Sequence, residues 1–258
     1  MPDHRALDAI LLPGGILPVF QPICAVAGGR HTITGYECLS RGPRGTNLEA
    51  ANVLFDYVRL KREESAVDRV CIRAALVAAR ILPLQARLCI NVHASTLGRD
   101  AGFVDFLRNT MDDCGIGMNR LTVEVVEHAP PWDDLAFLAT LDRLRMLGVA
   151  IALDDVGLGQ SNFKMLLDVR PDYMKIDRYF VVRCAEDPDR QAVIEVVNGL
   201  ARHFGAQVIA EGVEDLATLQ TLERLGIGLM QGFYFSRPME ALAAGAMYGA
   251  SRAYPVAL

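Results

Sequence analysis

Short apolar runs of the kind that form β-strands recur along the chain, and longer amphipathic segments separate most of them. The predicted strands are residues 17–23, 32–39, 87–92, 121–126, 149–155, 173–177, 207–213 and 228–235. The predicted helices, apolar at i, i+3, i+4 and i+7, are residues 48–61, 66–82, 103–115, 133–148, 190–205 and 214–226. Alternating strands and helices are typical of a mostly parallel sheet. Eight such strands in 258 residues favour an α/β fold of the closed (β/α)8 TIM-like type.

The connection between the first two predicted strands breaks this alternation. It is only a few residues long, whereas a parallel crossover needs roughly a dozen or more. Gly28 and Gly29 at its centre are typical of a hairpin, so the first strand is expected to run antiparallel to the second. No G-x-G-x-x-G motif follows the first strand, which argues against a dinucleotide-binding sheet. We expect one domain over residues 1–258, with its core at about residues 15–245.

Composition narrows the class of protein further. The chain is 52% hydrophobic with a net charge of -5, which argues against a nucleic-acid polymer as partner. None of its six cysteines forms a CxxC pair, so a reducing, cytoplasmic location is expected. The N-terminal residues lack the pattern of a signal peptide, and no uninterrupted apolar run reaches the roughly 18 residues of a membrane span.

Polar residues follow or end seven consecutive predicted strands. In strand order they are Glu37, Asn91, Glu124, Asp154, Asp155, Lys175, Asp177, Glu211 and Gln231. Any one of them alone is more simply a helix cap or a turn residue. In a closed barrel, however, these strand ends converge on one rim, where such enzymes carry their active sites. The series as a whole therefore indicates a functional site.

The charges at this rim indicate bound metal. Six carboxylates lie at the predicted strand ends, and only Lys175 and Arg41 offset them. The remaining excess matches the charge of two divalent cations. Carboxylate and amide oxygens suit Mg²⁺ or Mn²⁺, and no cluster of His or Cys indicates zinc. Two such ions about 3.5–4 Å apart are the usual arrangement for attack on a phosphoester, with Asp154 placed to bridge them.

With these residues in this order, the sequence resembles the EAL-domain family, the cyclic di-GMP phosphodiesterases, from about Val19 to Pro238. The motifs that carry the resemblance are "FQPI", "ECLSR", "NVH", "VEVVE", "DDVGLGQSN", "YMKID", "IAEGVE" and "MQGFYFSRP". The resemblance implies a (β/α)8 barrel with an antiparallel first strand. It also implies metal-dependent hydrolysis of cyclic di-GMP to linear pGpG, with Mg²⁺ or Mn²⁺ at two divalent sites.

By matched position, the resemblance also implies roles for individual residues. The implied metal ligands are Glu37, Asn91, Glu124, Asp154 and Asp155. The implied catalytic residues are Glu37, Lys175 and Glu211, with Glu211 a general base or a ligand of the second metal. The implied substrate contacts are Gln21, Arg41, Asp177 and Gln231. Glu127 resembles the residue that anchors the loop after the fifth strand.

The chain departs from the family pattern at a few positions. Cys38 replaces the usual Ala or Val of the naming motif, and we expect little effect because its side chain points away from the site. In the loop after the paired aspartates, Val156, Gln160 and Asn162 stand where the family pattern has Phe, a bulky residue such as Tyr, and Ser. One alternative is therefore an inactive EAL domain that acts as a cyclic di-GMP receptor or protein-interaction module. Another is a different metal-dependent barrel enzyme, such as an enolase-like lyase, against which the order of the motifs argues.

The resemblance extends to partners. A homodimer is expected through residues 160–169, in which Phe163, Met165, Leu166 and Leu167 are apolar. A signalling protein is a further expected partner. The histidines at positions 93, 128 and 203 are expected at the surface or behind the site.

Overall fold

The computed structural model describes residues 4–126, 134–157 and 163–251. The strands are β1 (Leu17–Ala27), β2 (Arg30–Arg41), β3 (Arg87–His93), β4 (Leu121–Val126), β5 (Ala150–Leu153), β6 (Tyr173–Ile176), β7 (Gln207–Ala210) and β8 (Leu229–Met230). The helices are α1 (His4–Leu11), α2 (Ala51–Lys61), α3 (Glu64–Ala79), α4 (Ala94–Arg99), α5 (Phe103–Cys114), α6 (Asp134–Met146), α7 (Phe163–Val169), α8 (Arg178–Val181), α9 (Pro188–Phe204), α10 (Leu216–Arg224) and α11 (Ala241–Ser251).

The eight strands form a closed barrel in sequence order, from β1 to β8. Strand β1 pairs antiparallel with both β2 and β8, and all the other neighbours are parallel. The hairpin between β1 and β2 turns at Gly28 and Gly29, whose φ angles of 59° and 71° favour glycine. The predicted (β/α)8 barrel with an antiparallel first strand is therefore confirmed.

All six predicted helices are present, and the described residues contain five further helices. Helices α4 and α8 are only six and four residues long, too short to show a helical period in the sequence. Helix α1 packs outside the barrel, where Ile10 is fully buried against Leu54, Val58 and Val67. A small second core thus lies between α1, α2 and α3.

The prediction of a strand through residue 235 is wrong, because β8 ends at Met230. At Gly232 the chain turns and packs against Val213, three residues after the end of β7. An added Cβ at Gly232 would lie 2.1 Å from the Val213 carbonyl oxygen. The amide of Tyr234 donates to this same carbonyl at 2.9 Å, and that of Phe235 to the Gly232 carbonyl at 3.1 Å. The apolar run after Met230 is therefore a packed turn. The hydrophobic pattern of the sequence alone does not distinguish such a turn from a strand.

The interior of the barrel changes character along its axis. Ile23, Cys89 and Ile209 are buried in one apolar cluster in the N-terminal part of the barrel. Beyond them, towards the carboxyl ends of the strands, the buried inward side chains are polar, as with Glu124 and Lys175. The fold therefore places a buried polar site directly next to this apolar cluster, at the carboxyl ends of the strands.

Candidate active site

Lys175 lies at the centre of this site. It occupies the inward position of β6, between two outward apolar residues, and its side chain is 1% exposed. Its Nζ atom lies 2.6 Å from Glu124 Oε1, 3.4 Å from Glu37 Oε2 and 3.7 Å from Asp154 Oδ1, and it also contacts Glu211. One ammonium group thus interacts with four carboxylates, each from the end of a different strand.

Glu37 is held by the side-chain amides of Asn91 on β3 and of Gln231, the residue after β8. Asn91 Nδ2 donates to Glu37 Oε1 at 2.9 Å, and Gln231 Nε2 donates to Glu37 Oε2 at 2.6 Å. The same Gln231 nitrogen lies 3.0 Å from Gln21 Oε1, and Gln21 is the register partner of Glu37 across the β1–β2 hairpin. These bonds fix the glutamate while the oxygen of Asn91 stays available as a ligand.

The two aspartates of the sequence motif follow directly after β5. Asp155 adopts a left-handed backbone, with φ 51°, and its amide donates to Asp154 Oδ1 at 3.0 Å. The next amide, that of Val156, donates to the Lys175 carbonyl at 3.0 Å, and the Val156 side chain is buried. The hydrogen bond from Val156 ties the end of β5 to β6. The left-handed turn at Asp155 explains how two adjacent carboxylates reach different parts of the site.

Two groups of carboxylates lie close enough to hold a metal ion. Glu124, Asp154 and Glu211 form one group, and Asp155, Asp177 and Glu211 form the other, each with its oxygens within 4.8 Å of one another. Glu211 is common to both groups, whereas the sequence had favoured Asp154 as the shared ligand. Asp177, expected as a substrate contact, belongs to a carboxylate group and also caps α8 by accepting the Tyr179 amide at 2.7 Å.

The electrostatics reflect an excess of carboxylates over cations. Burial raises the pKa of Glu124 well above its ordinary value, against the opposing effect of Lys175, and the nearby carboxylates Glu37, Asp154 and Glu211 raise it further. Burial likewise raises the pKa of Glu211 to about 8, again against Lys175, and that of Asp155 to about 6. At Glu37 the effect of burial is outweighed by Lys175 and by hydrogen bonds from the two amides, so its pKa is lowered.

Lys175 itself shows the opposite balance. Burial acts to lower its pKa, but the carboxylates around it raise that pKa well above the ordinary value, so the ammonium stays charged. A divalent cation would relieve the remaining repulsion, and an all-oxygen donor set of carboxylates with a nearby amide fits such an ion. The residues present therefore fit a bound divalent metal.

Arg41 stands apart from this cluster. Arg41 lines a separate groove with Pro18 and Ile81, and its Nη1 donates to the Ser40 carbonyl at 3.0 Å. It is not among the residues that line the cavity around Lys175. Glu127 lies outside the residues that the structure describes, as do Gln160, Asn162 and His128.

Two residues behind the site, Cys89 and Asp68, were missed by the sequence reasoning. Cys89 Sγ donates to Glu124 Oε2 at 3.0 Å, from the inward position two residues before Asn91. Asp68 on α3 accepts from the His93 amide at 3.0 Å, from His93 Nδ1 at 2.8 Å and from Thr96 Oγ1 at 2.6 Å. The signal for Asp68 was present, because a charged residue interrupts the apolar stripe of an amphipathic helix. His93 is thus buried behind the site.

Fold and site together define a TIM-like barrel with a buried acidic centre at the carboxyl ends of its strands. The chain belongs to the EAL domain family, whose sequence model matches residues 4–238. This confirms the resemblance that the motifs indicated.

The chain is similar to named relatives and to solved structures. It is 32% identical over 232 residues to the probable cyclic di-GMP phosphodiesterase PdeG of Escherichia coli K12, covering 88% of this chain and 45% of PdeG. The PaMucR phosphodiesterase in complex with c-di-GMP has a TM-score of 0.81 and 26% identity, over 93% of this chain and 98% of that one. Klebsiella pneumoniae BlrP1 with manganese and cy-diGMP has a TM-score of 0.78 and 29% identity, over 89% and 58%. This chain thus spans less than half the length of PdeG.

None of the helices in the described part of the chain combines the length and the apolar character needed to cross a bilayer.

Proposed function

We propose that this chain is a metal-dependent phosphodiesterase that hydrolyses one phosphodiester bond of cyclic di-GMP to give linear pGpG. The observation that carries the proposal is the buried Lys175 among four carboxylates at the carboxyl end of an EAL barrel. The similarity to PdeG, and to PaMucR and BlrP1 structures that contain the nucleotide, supports this substrate.

Two divalent sites, for Mg²⁺ or Mn²⁺, are part of this proposal. The ligands of the first are Glu37, Asn91, Glu124 and Asp154, and those of the second are Asp155 and Asp177, whereas Glu211 beside them acts as the general base. The excess of carboxylates over the single ammonium supports this number of ions. When bound, such ions lower the pKa of a water molecule and offset the negative charge of the phosphate.

The chain's own residues bind the substrate and move the proton. Lys175 orients the attacking water and stabilises the charge that develops on the phosphoryl oxygens. Glu211 accepts the proton of that water as the new O–P bond forms and the bond from phosphorus to the 3′ oxygen breaks. The leaving 3′ oxygen takes up a proton from solvent, which yields linear pGpG. Gln21 and Gln231 line the same cavity and contact the substrate.

The test is incubation of the purified chain with cyclic di-GMP and Mg²⁺, followed by chromatographic separation of the products. We expect pGpG to accumulate, and chelation with EDTA to stop its formation. Tight binding of cyclic di-GMP without any pGpG after prolonged incubation would contradict the proposal. That result would instead identify the chain as a receptor for the nucleotide.

A homodimer built on α7 belongs to the same proposal. Phe163 and Leu167 on this helix are 71% and 60% exposed, whereas Met165 and Leu166 pack into the core. Only two of the four apolar residues expected at the interface are therefore available to a second copy. A signalling protein remains a further proposed partner.

A further inference from the structure

Cys89 and Lys175 contact opposite oxygens of one carboxylate, that of Glu124. Lys175 Nζ lies 2.6 Å from Glu124 Oε1, and Cys89 Sγ lies 3.0 Å from Glu124 Oε2. Glu124 is fully buried and Cys89 is 4% exposed, so both groups are shielded from bulk solvent. Within the described part of the chain, each oxygen of this carboxylate therefore has one hydrogen-bond donor.

The bond to Oε2 runs from the thiol to the carboxylate. As a metal ligand Glu124 is ionised, and an ionised carboxylate only accepts hydrogen bonds. A thiolate at position 89 would face the negative charges of Glu124 and Glu37, so the buried thiol keeps its proton and donates it. Ile23 and Ile209, which share the apolar cluster with Cys89, have no side-chain donor. The S–H group is thus the donor that this cluster offers to Glu124.

We propose that Cys89 is a positioning residue for the metal site, whose S–H group holds Glu124 with Oε1 turned towards Lys175 and the acidic centre. This inference rests on the proposed function, in which Glu124 is a ligand of the first ion. Hydrogen bonds to a ligating carboxylate fix its orientation, and their loss typically costs about 10–100-fold in metal affinity or activity. Cys89 lines neither of the two cavities at the acidic centre, so it acts through Glu124 rather than on the substrate.

A donor and a mere filler of the apolar cluster predict opposite orders of three variants. Cys89→Ser keeps a donor, whereas Cys89→Ala and Cys89→Val remove it. Valine can be accommodated, because Cys89 also borders a cavity of about 550 Å³ at the N-terminal end of the barrel. If Cys89 only filled space, valine would be tolerated best, and serine, which brings a hydroxyl into the cluster, would be tolerated worst. If Cys89 positions Glu124, serine is the variant that retains function.

The first measurement is the apparent Kd for Mn²⁺, by calorimetry without substrate, on chains stripped with EDTA and then dialysed. We expect this Kd to rise about tenfold in Cys89→Ala and Cys89→Val and to stay close to that of the unmodified chain in Cys89→Ser. The second measurement is turnover of cyclic di-GMP at saturating Mn²⁺. There kcat should fall in the alanine and valine variants while KM stays unchanged, and serine should restore kcat.

The matched control is Cys24→Ala on β1, which removes a fully buried thiol from the main apolar core. Its affinity for Mn²⁺ should equal that of the unmodified chain. Unchanged affinity in Cys89→Ala and Cys89→Val, or the weakest affinity in Cys89→Ser, would overturn this inference alone. The expected order of affinities without any pGpG from the unmodified chain would support the positioning role and refute the proposed hydrolysis. An unmodified chain that binds no Mn²⁺ would refute both.

Discussion

At the scale of single residues, Glu37 connects four strands of the barrel through one carboxylate. It lies on β2 and is contacted by Asn91 from β3, Lys175 from β6 and Gln231 after β8. Glu37→Gln removes the negative charge and places an amide NH2 where Asn91, Lys175 and Gln231 already present donors. We expect turnover of cyclic di-GMP to fall roughly a hundredfold or more, as for other losses of one catalytic electrostatic partner.

The control for this variant is Glu240→Gln, which removes a charge from an exposed pair with Arg44. Its turnover should match that of the unmodified chain. Circular dichroism should show that Glu37→Gln remains folded, because rim residues add little to the core. If Glu37→Gln hydrolysed cyclic di-GMP about as fast as the unmodified chain, Glu37 would not belong to the active site.

Asp68 is a second residue with a specific role, which is to stabilise the fold. It is 2% exposed and accepts three hydrogen bonds from the junction of β3 and α4. Asp68→Ala leaves these buried donors without an acceptor, so we expect the free energy of unfolding to fall by about 3 kcal/mol or more. Urea denaturation measures this change. Asp105→Ala, which removes an exposed ion-pair partner of Arg108, should change it by less than about 1 kcal/mol, and equal effects would contradict the assignment.

At the scale of elements, the end of β8 depends on one glycine. An added Cβ at Gly232 would lie 2.1 Å and 2.3 Å from the Val213 carbonyl oxygen and amide nitrogen, both of them backbone atoms that cannot rotate away. Gly232→Ala should therefore destabilise the fold by about 3 kcal/mol or more and displace the adjacent Gln231. Gly228→Ala, where no atom lies within 4 Å, is the matched control. Thermal unfolding compares the two, and equal melting temperatures would contradict the argument.

Local patterns made most elements predictable. The hairpin follows from two adjacent glycines, and the longer helices follow from their 3.6-residue period, because each depends on neighbouring residues alone. The end of β8 was not predictable, since it depends on the approach of Val213 from a different part of the chain. The same distinction holds in the site. Topology brings the strand ends together, but the left-handed backbone of Asp155 decides which carboxylates form a group, and the sequence does not display that angle.

At the scale of the whole molecule, the exposed side chains of α7 predict self-association. Phe163→Asp and Leu167→Asp place charges on this surface, and either change should shift the chain towards monomer in sedimentation velocity. Leu60→Asp on α2, at a residue that is 81% exposed, should leave the dimer intact. A monomer alone at high micromolar concentration of the unmodified chain would refute the dimer.

The proposed metal site also has a consequence for the whole molecule, because metal binding is coupled to folding. Four carboxylates around one ammonium repel one another, and a cation that binds only the folded chain stabilises it by about 2.7 kcal/mol at a hundredfold excess over its Kd. Mn²⁺ should therefore raise the melting temperature. Ca²⁺ should do so as well but support little turnover, since its looser coordination positions water poorly. No shift with either ion would contradict a metal site.

The same acidic centre predicts how stability depends on pH in EDTA. The pKa values of Asp155 and Glu211 are raised to about 6 and about 8 in the folded chain, chiefly by burial. The folded state therefore binds more protons than the unfolded state between about pH 5 and 8, so the free energy of unfolding falls as the pH rises through that range. Urea titrations at pH 5 and pH 8 should show this loss, and saturating Mn²⁺ should reduce it by supplying the positive charge that the protons supplied. Glu211→Gln should also reduce it, because a neutral amide has no proton to lose. Stability that rises with pH in EDTA would show that these carboxylates are ionised and paired in the folded chain, and would remove the charge argument for bound metal.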